Sequence, residues 1–141
     1  MSGPILSLPE ELAAQMLVAA ARAYPNEACG LIEGVGEPQG WRVLAVHETA
    51  NLSENPERKF LLDPQVQFDL MRRLRGTGRR IIGCFHSHPD GVAEPSATDR
   101  ADAYETDFLY LIAAGSPDFG LTLAAFVFTA ENKFLPVEIR S

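Results

Sequence analysis

The stretch HSHPDGVAEPSATDR, residues 86–100, gathers side chains that are able to bind a metal ion. The chain has 3 histidines in 141 residues, and two of them, His86 and His88, stand one residue apart at the end of an apolar run. Successive side chains of a strand point to opposite faces, so these two imidazoles project to the same side. The sequence therefore predicts a pair of nitrogen ligands at the end of a buried strand.

A carboxylate follows the histidine pair. Pro89 ends the strand, a loop follows, and Ser96 and Asp99 then stand three residues apart, as at the start of a helix. Two histidine nitrogens and one carboxylate oxygen are typical of catalytic zinc sites, in which water takes the fourth position. The same ligands also bind iron in non-haem oxygenases, so iron is the competing metal. The pattern predicts a catalytic metal centre formed by His86, His88 and Asp99.

Hydrolysis at such a centre requires a nearby carboxylate that accepts and returns a proton. Spacing alone does not choose among the candidates, which are Glu27, Glu33, Glu48, Asp90 and Glu94. Glu27 stands where the first predicted helix gives way to a strand, and a side chain at that boundary can project over a site at the sheet edge. The third histidine, His47, is expected to be a surface residue of a strand.

Length, composition and charge limit the class of protein. A chain of 141 residues with 46% hydrophobic content can form one domain with a core, so we expect a single domain over residues 1–141. The net charge of -7 repels polyphosphates and anionic lipids, so we expect neither nucleic acid nor a membrane as a partner. No segment approaches the roughly 20 apolar residues that span a bilayer, and we expect a soluble cytoplasmic protein.

Helix and strand patterns alternate along the chain. A capping box at Ser7 and Glu10 predicts a helix over residues 8–23, Asp63 and Pro64 begin a second helix, and a short third helix begins at Ser96. Strands are predicted over residues 28–34, 41–49, 79–88, 107–115, 121–130 and 133–141. This order predicts an α/β fold of the mixed, α+β kind, in which a mixed sheet of about six strands packs against two longer helices and one short helix.

The two cysteines, Cys29 and Cys84, lie far apart in sequence and form neither a CxxC motif nor part of a larger cysteine framework. We therefore expect two reduced thiols, buried in strands. The run RRLRGTGRR, residues 72–80, is expected to be a solvated helix end and turn. The alternative for this run is a docking surface for an acidic protein.

These residues resemble the motif of the JAMM family, the MPN-type zinc metalloproteases that hydrolyse peptide and isopeptide bonds at the C-termini of ubiquitin and ubiquitin-like proteins. The family motif is an upstream glutamate, then His-x-His, seven residues, Ser, two residues and Asp, and residues 86–99 match its second part in full. The stretch PNEACGLIEG, residues 25–34, resembles the family's Glu-x-Cys-Gly-Leu segment. The resemblance covers nearly the whole chain and is closest to the small stand-alone bacterial members.

The resemblance implies a role for each motif residue. His86, His88 and Asp99 would bind one zinc ion per chain, Glu27 would act as general base and then acid, and Ser96 would steady the oxyanion. The implied substrate is a ubiquitin-like or sulfur-carrier protein, cleaved after its C-terminal Gly-Gly.

Other functions remain as alternatives to this one. They are a non-catalytic MPN-type interaction domain, because some family members have lost their metal ligands, and a general zinc peptidase with a different substrate. A zinc deaminase would require a His-x-Glu motif and a Pro-Cys-x-x-Cys motif, and the sequence contains neither.

Overall fold

Seven strands form one sheet that closes into a barrel in the computed structural model, which describes residues 3–141. The strands are β1 (Ile5–Ser7), β2 (Cys29–Glu37), β3 (Gly40–Thr49), β4 (Arg80–His88), β5 (Phe108–Ser116), β6 (Gly120–Phe128) and β7 (Phe134–Arg140). Their order around the barrel is β1-β3-β2-β4-β5-β6-β7. The pairs that include β1 and the pair β4–β5 are parallel, and the others are antiparallel. The predicted mixed α/β fold is confirmed, with seven strands rather than about six.

The additional strand, β1, explains why the predicted capping box is wrong. Ser7 lies in β1, where it is in register with Arg42 of β3 and Arg140 of β7. Its backbone is therefore extended and belongs to the sheet. The first helix, α1 (Glu10–Ala23), begins only after Pro9, and no side chain caps it.

The other two helices begin at the residues that the sequence indicates. Helix α2 (Pro64–Leu74) is capped by Asp63, whose Oδ1 accepts a hydrogen bond of 2.9 Å from the backbone N–H of Gln65. Helix α3 (Ala97–Asp102) is short and is capped by Ser96. Within residues 3–141 the structure has no helix that combines the length and the apolar character needed to cross a membrane.

The sheet buries a different cluster on each face. Phe85 of β4 and Leu109 of β5 belong to the larger cluster, which includes Met16 of α1. Their sequence neighbours Cys84 and Tyr110 belong to the smaller cluster, because adjacent strand residues point to opposite faces. His86 and His88 lie at the end of β4, on the face of this smaller cluster.

Both cysteines are confirmed as free thiols in the sheet, Cys29 in β2 and Cys84 in β4. Both are buried, and burial raises the pKa of each thiol above its ordinary value. The two residues lie on adjacent strands, where Cys29 pairs with His86 and Cys84 pairs with Leu31. Cys29 therefore lies beside His86, with its Sγ near Thr49 and Ala50, and Cys84 packs in the smaller apolar cluster.

Candidate metal centre

The two histidines and the aspartate of the motif meet at one point. The Nε2 atoms of His86 and His88 are 3.0 Å apart, and each is 3.1 Å from Oδ2 of Asp99. All three side chains are buried. These three candidate ligand atoms thus form a nearly equilateral triangle, to which strand β4 contributes two atoms and helix α3 one.

Local hydrogen bonds hold His88 and Asp99 in these positions. Nδ1 of His88 lies 2.8 Å from the backbone carbonyl oxygen of Val92, in the loop after β4. The backbone N–H of Ser96 donates to Oδ2 of Asp99 at 2.8 Å, and the backbone N–H of Asp99 donates to Oγ of Ser96 at 3.0 Å. The capping box therefore orients the carboxylate as well as starting the helix.

Aromatic packing holds His86. The ring of Phe60 stacks on the His86 imidazole with centroids 4.3 Å apart and an interplanar angle of 17°. Tyr110 approaches the same imidazole edge to face, with centroids 6.4 Å apart. Nδ1 of His86 is buried and has no hydrogen-bond partner among residues 3–141. The ring plane of His86 is thus fixed by apolar contacts.

Glu27 joins the histidines although it lies far from them in sequence. One ligand atom from each of Glu27, His86 and His88 lies within 4.8 Å of the other two. The residue after Glu27 is tied to β4 by two bonds: the N–H of Ala28 donates to Oγ of Ser87 at 2.7 Å, and the N–H of Ser87 donates to the carbonyl of Ala28 at 3.0 Å. The Ser87 side chain points away from the two histidines, as the alternation of strand side chains predicts. Its two bonds with Ala28 hold the backbone next to Glu27 against β4, and the Glu27 side chain then lies beside the histidines.

The loop of residues 50–62 holds Glu27 from the other side, and Asn51 organises this loop. Nδ2 of Asn51 donates to the carbonyl oxygens of Glu27 and Lys59, both at 3.0 Å. Its Oδ1 accepts from the backbone N–H groups of Ser53 and Leu61, also at 3.0 Å. One side chain therefore joins both ends of the loop to the backbone of Glu27.

Burial and hydrogen bonding shift the pKa values of all four side chains. Burial raises the pKa of the Glu27 carboxyl from its ordinary value of 4.5 to about 8, although His88 acts in the opposite direction. Burial also acts to raise the pKa of Asp99, but hydrogen bonds with His86 and His88 hold it well below its usual range. Burial lowers the pKa of His86. For His88 the hydrogen bonds with Asp99 and with Val92 outweigh burial and raise the pKa.

The other carboxylates suggested by the sequence have different partners. Glu33 is buried, and its Oε2 and Oε1 lie 2.5 Å from Nε of Arg79 and 2.8 Å from Nε2 of His47. His47 lies in β3, as expected of a strand residue, with 26% of its side chain exposed and an acidic partner in Glu33. Glu48 forms an ion pair with Arg22 on the surface. Neither Glu33 nor Glu48 therefore lies with His86 and His88 in the candidate centre.

Two further candidates lie in the loop after β4. Asp90 accepts a backbone hydrogen bond of 3.0 Å from Val92 through Oδ1, and Glu94 is exposed. Glu27 is the acidic residue of the five that the geometry groups with both imidazoles.

This arrangement can hold a divalent cation. Ligand atoms that bind a tetrahedral zinc ion at 2.0–2.1 Å lie about 3.3 Å apart, close to the observed spacings of 3.0 and 3.1 Å. The carboxyl atom Oε1 of Glu27 is also buried and has no hydrogen-bond partner within the described part of the chain. A buried polar atom without a partner is costly, and a water or substrate atom at the metal would satisfy it.

A cavity of about 570 Å³ lies on the open side of the centre. Its lining includes Glu27, His88, Ser96 and Arg58. The cavity brings the glutamate, one imidazole and the serine to a common space, as the motif implies.

Sequence reasoning missed Asn51, Phe60 and Tyr110 as residues that shape the site. Asn51 opens a polar segment without periodicity, and asparagine side chains often bond the backbone of nearby turns, which is the available signal. Phe60 and Tyr110 stand in apolar contexts that indicate only burial, so no local pattern marks them.

The family model described as prokaryotic homologs of the JAB domain matches residues 9–126. The chain belongs to this family, and the resemblance to JAMM proteins is thereby confirmed. With this fold and this buried set of acidic and histidine side chains, the protein is a hydrolase of the JAMM type.

Individual relatives agree with this assignment. The chain is 34% identical over 103 residues to the desampylase of Haloferax volcanii, an alignment that covers 73% of this chain and 71% of the relative. It is 29% identical over 108 residues to the CysO-cysteine peptidase of Mycobacterium bovis, covering 77% of this chain and 72% of the relative. The solution structure of a Desulfitobacterium hafniense protein superposes with a TM-score of 0.83 at 32% identity, covering 96% of this chain and 91% of the other.

Proposed function

We propose that this protein is a zinc-dependent peptidase or isopeptidase that cleaves the bond after the C-terminal Gly-Gly of a ubiquitin-like or sulfur-carrier protein. Membership of the JAB family and similarity to a desampylase and to a CysO-cysteine peptidase support this substrate class. One observation carries the proposal: Oε1 of Glu27, buried and without a hydrogen-bond partner among residues 3–141, lies beside two histidines that share Oδ2 of an aspartate. This arrangement supports a metal centre with an adjacent proton acceptor.

His86, His88 and Asp99 hold one zinc ion per chain in this proposal. Neutral imidazole nitrogens and a carboxylate oxygen are ligands that zinc prefers, and a set of three leaves a position for reaction. When bound, zinc supplies Lewis acidity, which activates a water and polarises the scissile carbonyl. The low pKa of Asp99 keeps its carboxylate ionised and available at neutral pH.

Glu27 moves the proton. Its carboxylate accepts a proton from the attacking water and then donates that proton to the leaving amine. A carboxyl group whose pKa lies near neutral pH is suited to both steps, and burial raises the pKa of Glu27 to about 8. The bonds between Ala28 and Ser87 keep the group in place.

Ser96 steadies the oxyanion of the tetrahedral intermediate. Its Oγ already accepts a hydrogen bond from the backbone N–H of Asp99, which leaves the hydroxyl hydrogen free to be donated. Ser96 also lines the cavity that contains Glu27 and His88. A hydroxyl in this position donates to negative charge that develops on the substrate.

The free state of both cysteines supports the cytoplasm as the compartment in which the enzyme acts. Reducing compartments keep thiols unpaired, whereas secreted domains of this size commonly carry disulfides. We expect the substrate protein to be a partner in the same compartment.

The test is cleavage of a defined carrier. A small ubiquitin-fold protein that ends in Gly-Gly followed by one further residue is incubated with the zinc-loaded enzyme, and its intact mass is measured. We expect loss of the final residue after Gly-Gly, and we expect this loss to stop with a chelator and in Glu27→Gln. Turnover of unrelated short peptides without cleavage of any Gly-Gly tail would instead identify a general zinc peptidase.

A further inference from the structure

The cavity beside the metal centre contains one basic side chain. Among residues 3–141, Arg58 is the only lysine or arginine that lines this cavity, which three acidic residues, Glu27, Glu57 and Asp90, also line. Arg58 is exposed and forms no ion pair within the described part of the chain. Its positive charge is therefore available to a molecule bound in the cavity.

A hydrogen-bonded turn holds the backbone of Arg58 close to that of the general base. The backbone N–H groups of Arg58 and Lys59 donate to the carbonyl oxygen of Asn55, at 3.1 and 3.0 Å. In the same turn, the carbonyl oxygen of Pro56 accepts a hydrogen bond of 2.7 Å from the backbone N–H of Glu27. Because the turn is bonded to Glu27 itself, Arg58 and Glu27 are placed to act on neighbouring groups of one substrate.

Possible leaving groups differ in the charge that they bring beside Glu27. In the proposed reaction Glu27 donates its proton to the leaving amine, so the atoms next to that nitrogen lie in the same cavity. In a single terminal residue, bonds of about 1.46 and 1.52 Å join the nitrogen to the carboxyl carbon, which is therefore about 2.5 Å away. A lysine isopeptide brings an uncharged methylene stem to this position, and an internal peptide bond brings a neutral carbonyl group.

A terminal carboxylate in this cavity requires a cation. The acidic side chains of Glu57 and Asp90 repel a further negative charge, and a charge removed from water without a partner is costly. A guanidinium presents parallel N–H groups that match the two oxygens of a carboxylate, and such charge-assisted pairs are stronger than neutral hydrogen bonds. Arg58 is the residue of the cavity that is able to supply this pair.

We propose that Arg58 binds the free α-carboxylate of the leaving residue and thereby selects carriers in which one terminal amino acid follows Gly-Gly. Hydrolysis adds water across this peptide bond and yields a carrier that ends in a glycine carboxylate, together with a free amino acid. The inference rests on the proposed function, because it names the leaving group at the same site. It favours a peptide bond to a single residue over an isopeptide bond to a lysine side chain.

The test changes the charge of the leaving residue and keeps its shape. One carrier ends in Gly-Gly-Ala with a free carboxylate, and a semisynthetic carrier ends in the same residues with a carboxamide. Two peptides of the last ten residues carry the same two ends. The variant is Arg58→Gln. The matched control is Lys59→Gln, which removes the same charge from the adjacent exposed residue, outside the cavity lining.

For the zinc-loaded wild type we expect kcat/KM for the acid tail to exceed that for the amide tail roughly tenfold or more, mainly through KM. The ratio of these two values should approach one in Arg58→Gln and stay at the wild-type value in Lys59→Gln. Equal kcat/KM for both tails in the wild type would overturn the proposal. So would a wild-type ratio in Arg58→Gln, or an equal fall in Lys59→Gln.

The outcomes separate this inference from the proposed function. If the enzyme cleaves the short peptides but no carrier, and its preference for the acid end depends on Arg58, the carboxylate site stands and the proposed substrate class is wrong. If it cleaves both carriers equally well after Gly-Gly, the proposed function stands and the carboxylate site is wrong.

Binding decides the case in which neither carrier nor peptide is cleaved. Zinc-loaded Glu27→Gln protein, with and without Arg58→Gln, is titrated with the acid peptide and with the amide peptide by calorimetry. Binding of the acid peptide that is tighter than that of the amide peptide, and that depends on Arg58, supports the carboxylate site. Absent binding, or equal binding of the two peptides, overturns it.

Discussion

Glu27 is the residue at which proton transfer can be separated from metal binding. In Glu27→Gln the amide keeps the size of the side chain but cannot transfer the proton. We expect the variant to keep its bound zinc and its fold and to lose hydrolysis by roughly 10²- to 10⁴-fold. Steady-state rates and metal content are the measurements. Glu94→Gln, in the exposed loop, is the control, and an inactive Glu94→Gln beside an active Glu27→Gln would reverse the assignment.

The raised pKa of Glu27 predicts how the stability of the metal-free protein depends on pH. The unfolded chain releases this proton near pH 4.5, whereas the folded protein keeps it until about pH 8. Unfolding therefore releases a proton between these values, and this group lowers the free energy of unfolding as pH rises through that window. Glu27→Gln has no such proton. We expect the denaturant midpoint of metal-free Glu27→Gln to rise relative to that of the metal-free wild type from pH 5 to pH 8. A difference in midpoint that stays constant over this range would contradict the raised pKa of Glu27.

Ser96 has two separable roles, as a helix cap and as a hydrogen-bond donor. We expect Ser96→Ala to lower the rate by roughly 10²- to 10³-fold, the usual effect of one oxyanion donor. Loss of the cap should also cost about 1 kcal/mol of unfolding free energy. Asp63→Ala removes a similar cap from α2 and is the matched control. If Ser96→Ala loses stability as this control does but retains full activity, its hydroxyl is only a cap.

At the scale of elements, the loop of residues 50–62 positions the general base through Asn51. In Asn51→Ala the backbone groups that its side chain bonds at 3.0 Å, those of Glu27, Lys59, Ser53 and Leu61, lose this partner, and we expect a loss of about 1 to 3 kcal/mol of unfolding free energy. Activity should fall more than the folded fraction does, because Glu27 is held by the same side chain. Chemical denaturation and rates at low temperature provide the measurements. Asn55→Ala, in the same loop, should change neither quantity by a comparable amount.

The sequence predicts the helices and strands that adjacent residues determine. It does not predict those that form only by pairing with strands distant in sequence. Asp63 and Pro64 mark the start of α2 because the cap and the first helical residue are adjacent in sequence. Strand β1 has three residues and exists through its pairing with β3 and β7, which no local pattern shows. The same pairing holds Ser7 in the sheet and removes it from the predicted capping box.

At the scale of the whole molecule, the barrel brings together parts of the site that are distant in sequence. The motif predicted that His86, His88 and Asp99 meet, because strand alternation and one helical turn suffice for these three. Glu27 reaches them through the bond between Ala28 and Ser87, which are 59 positions apart. For this reason residue spacing could not decide which of five carboxylates is the general base. Within the sequence, only the resemblance to the family selects Glu27.

The measurement that tests the account most directly is the zinc content of the purified, zinc-loaded protein and of Asp99→Ala, determined by elemental analysis. We predict about one zinc ion per wild-type chain and a loss of bound zinc in Asp99→Ala, because two imidazoles alone hold the ion weakly. Asp63→Ala, which loses a helix cap away from the site, should retain the wild-type content. Wild-type protein without zinc, or Asp99→Ala with a full complement, would contradict the assignment of His86, His88 and Asp99 as the metal centre.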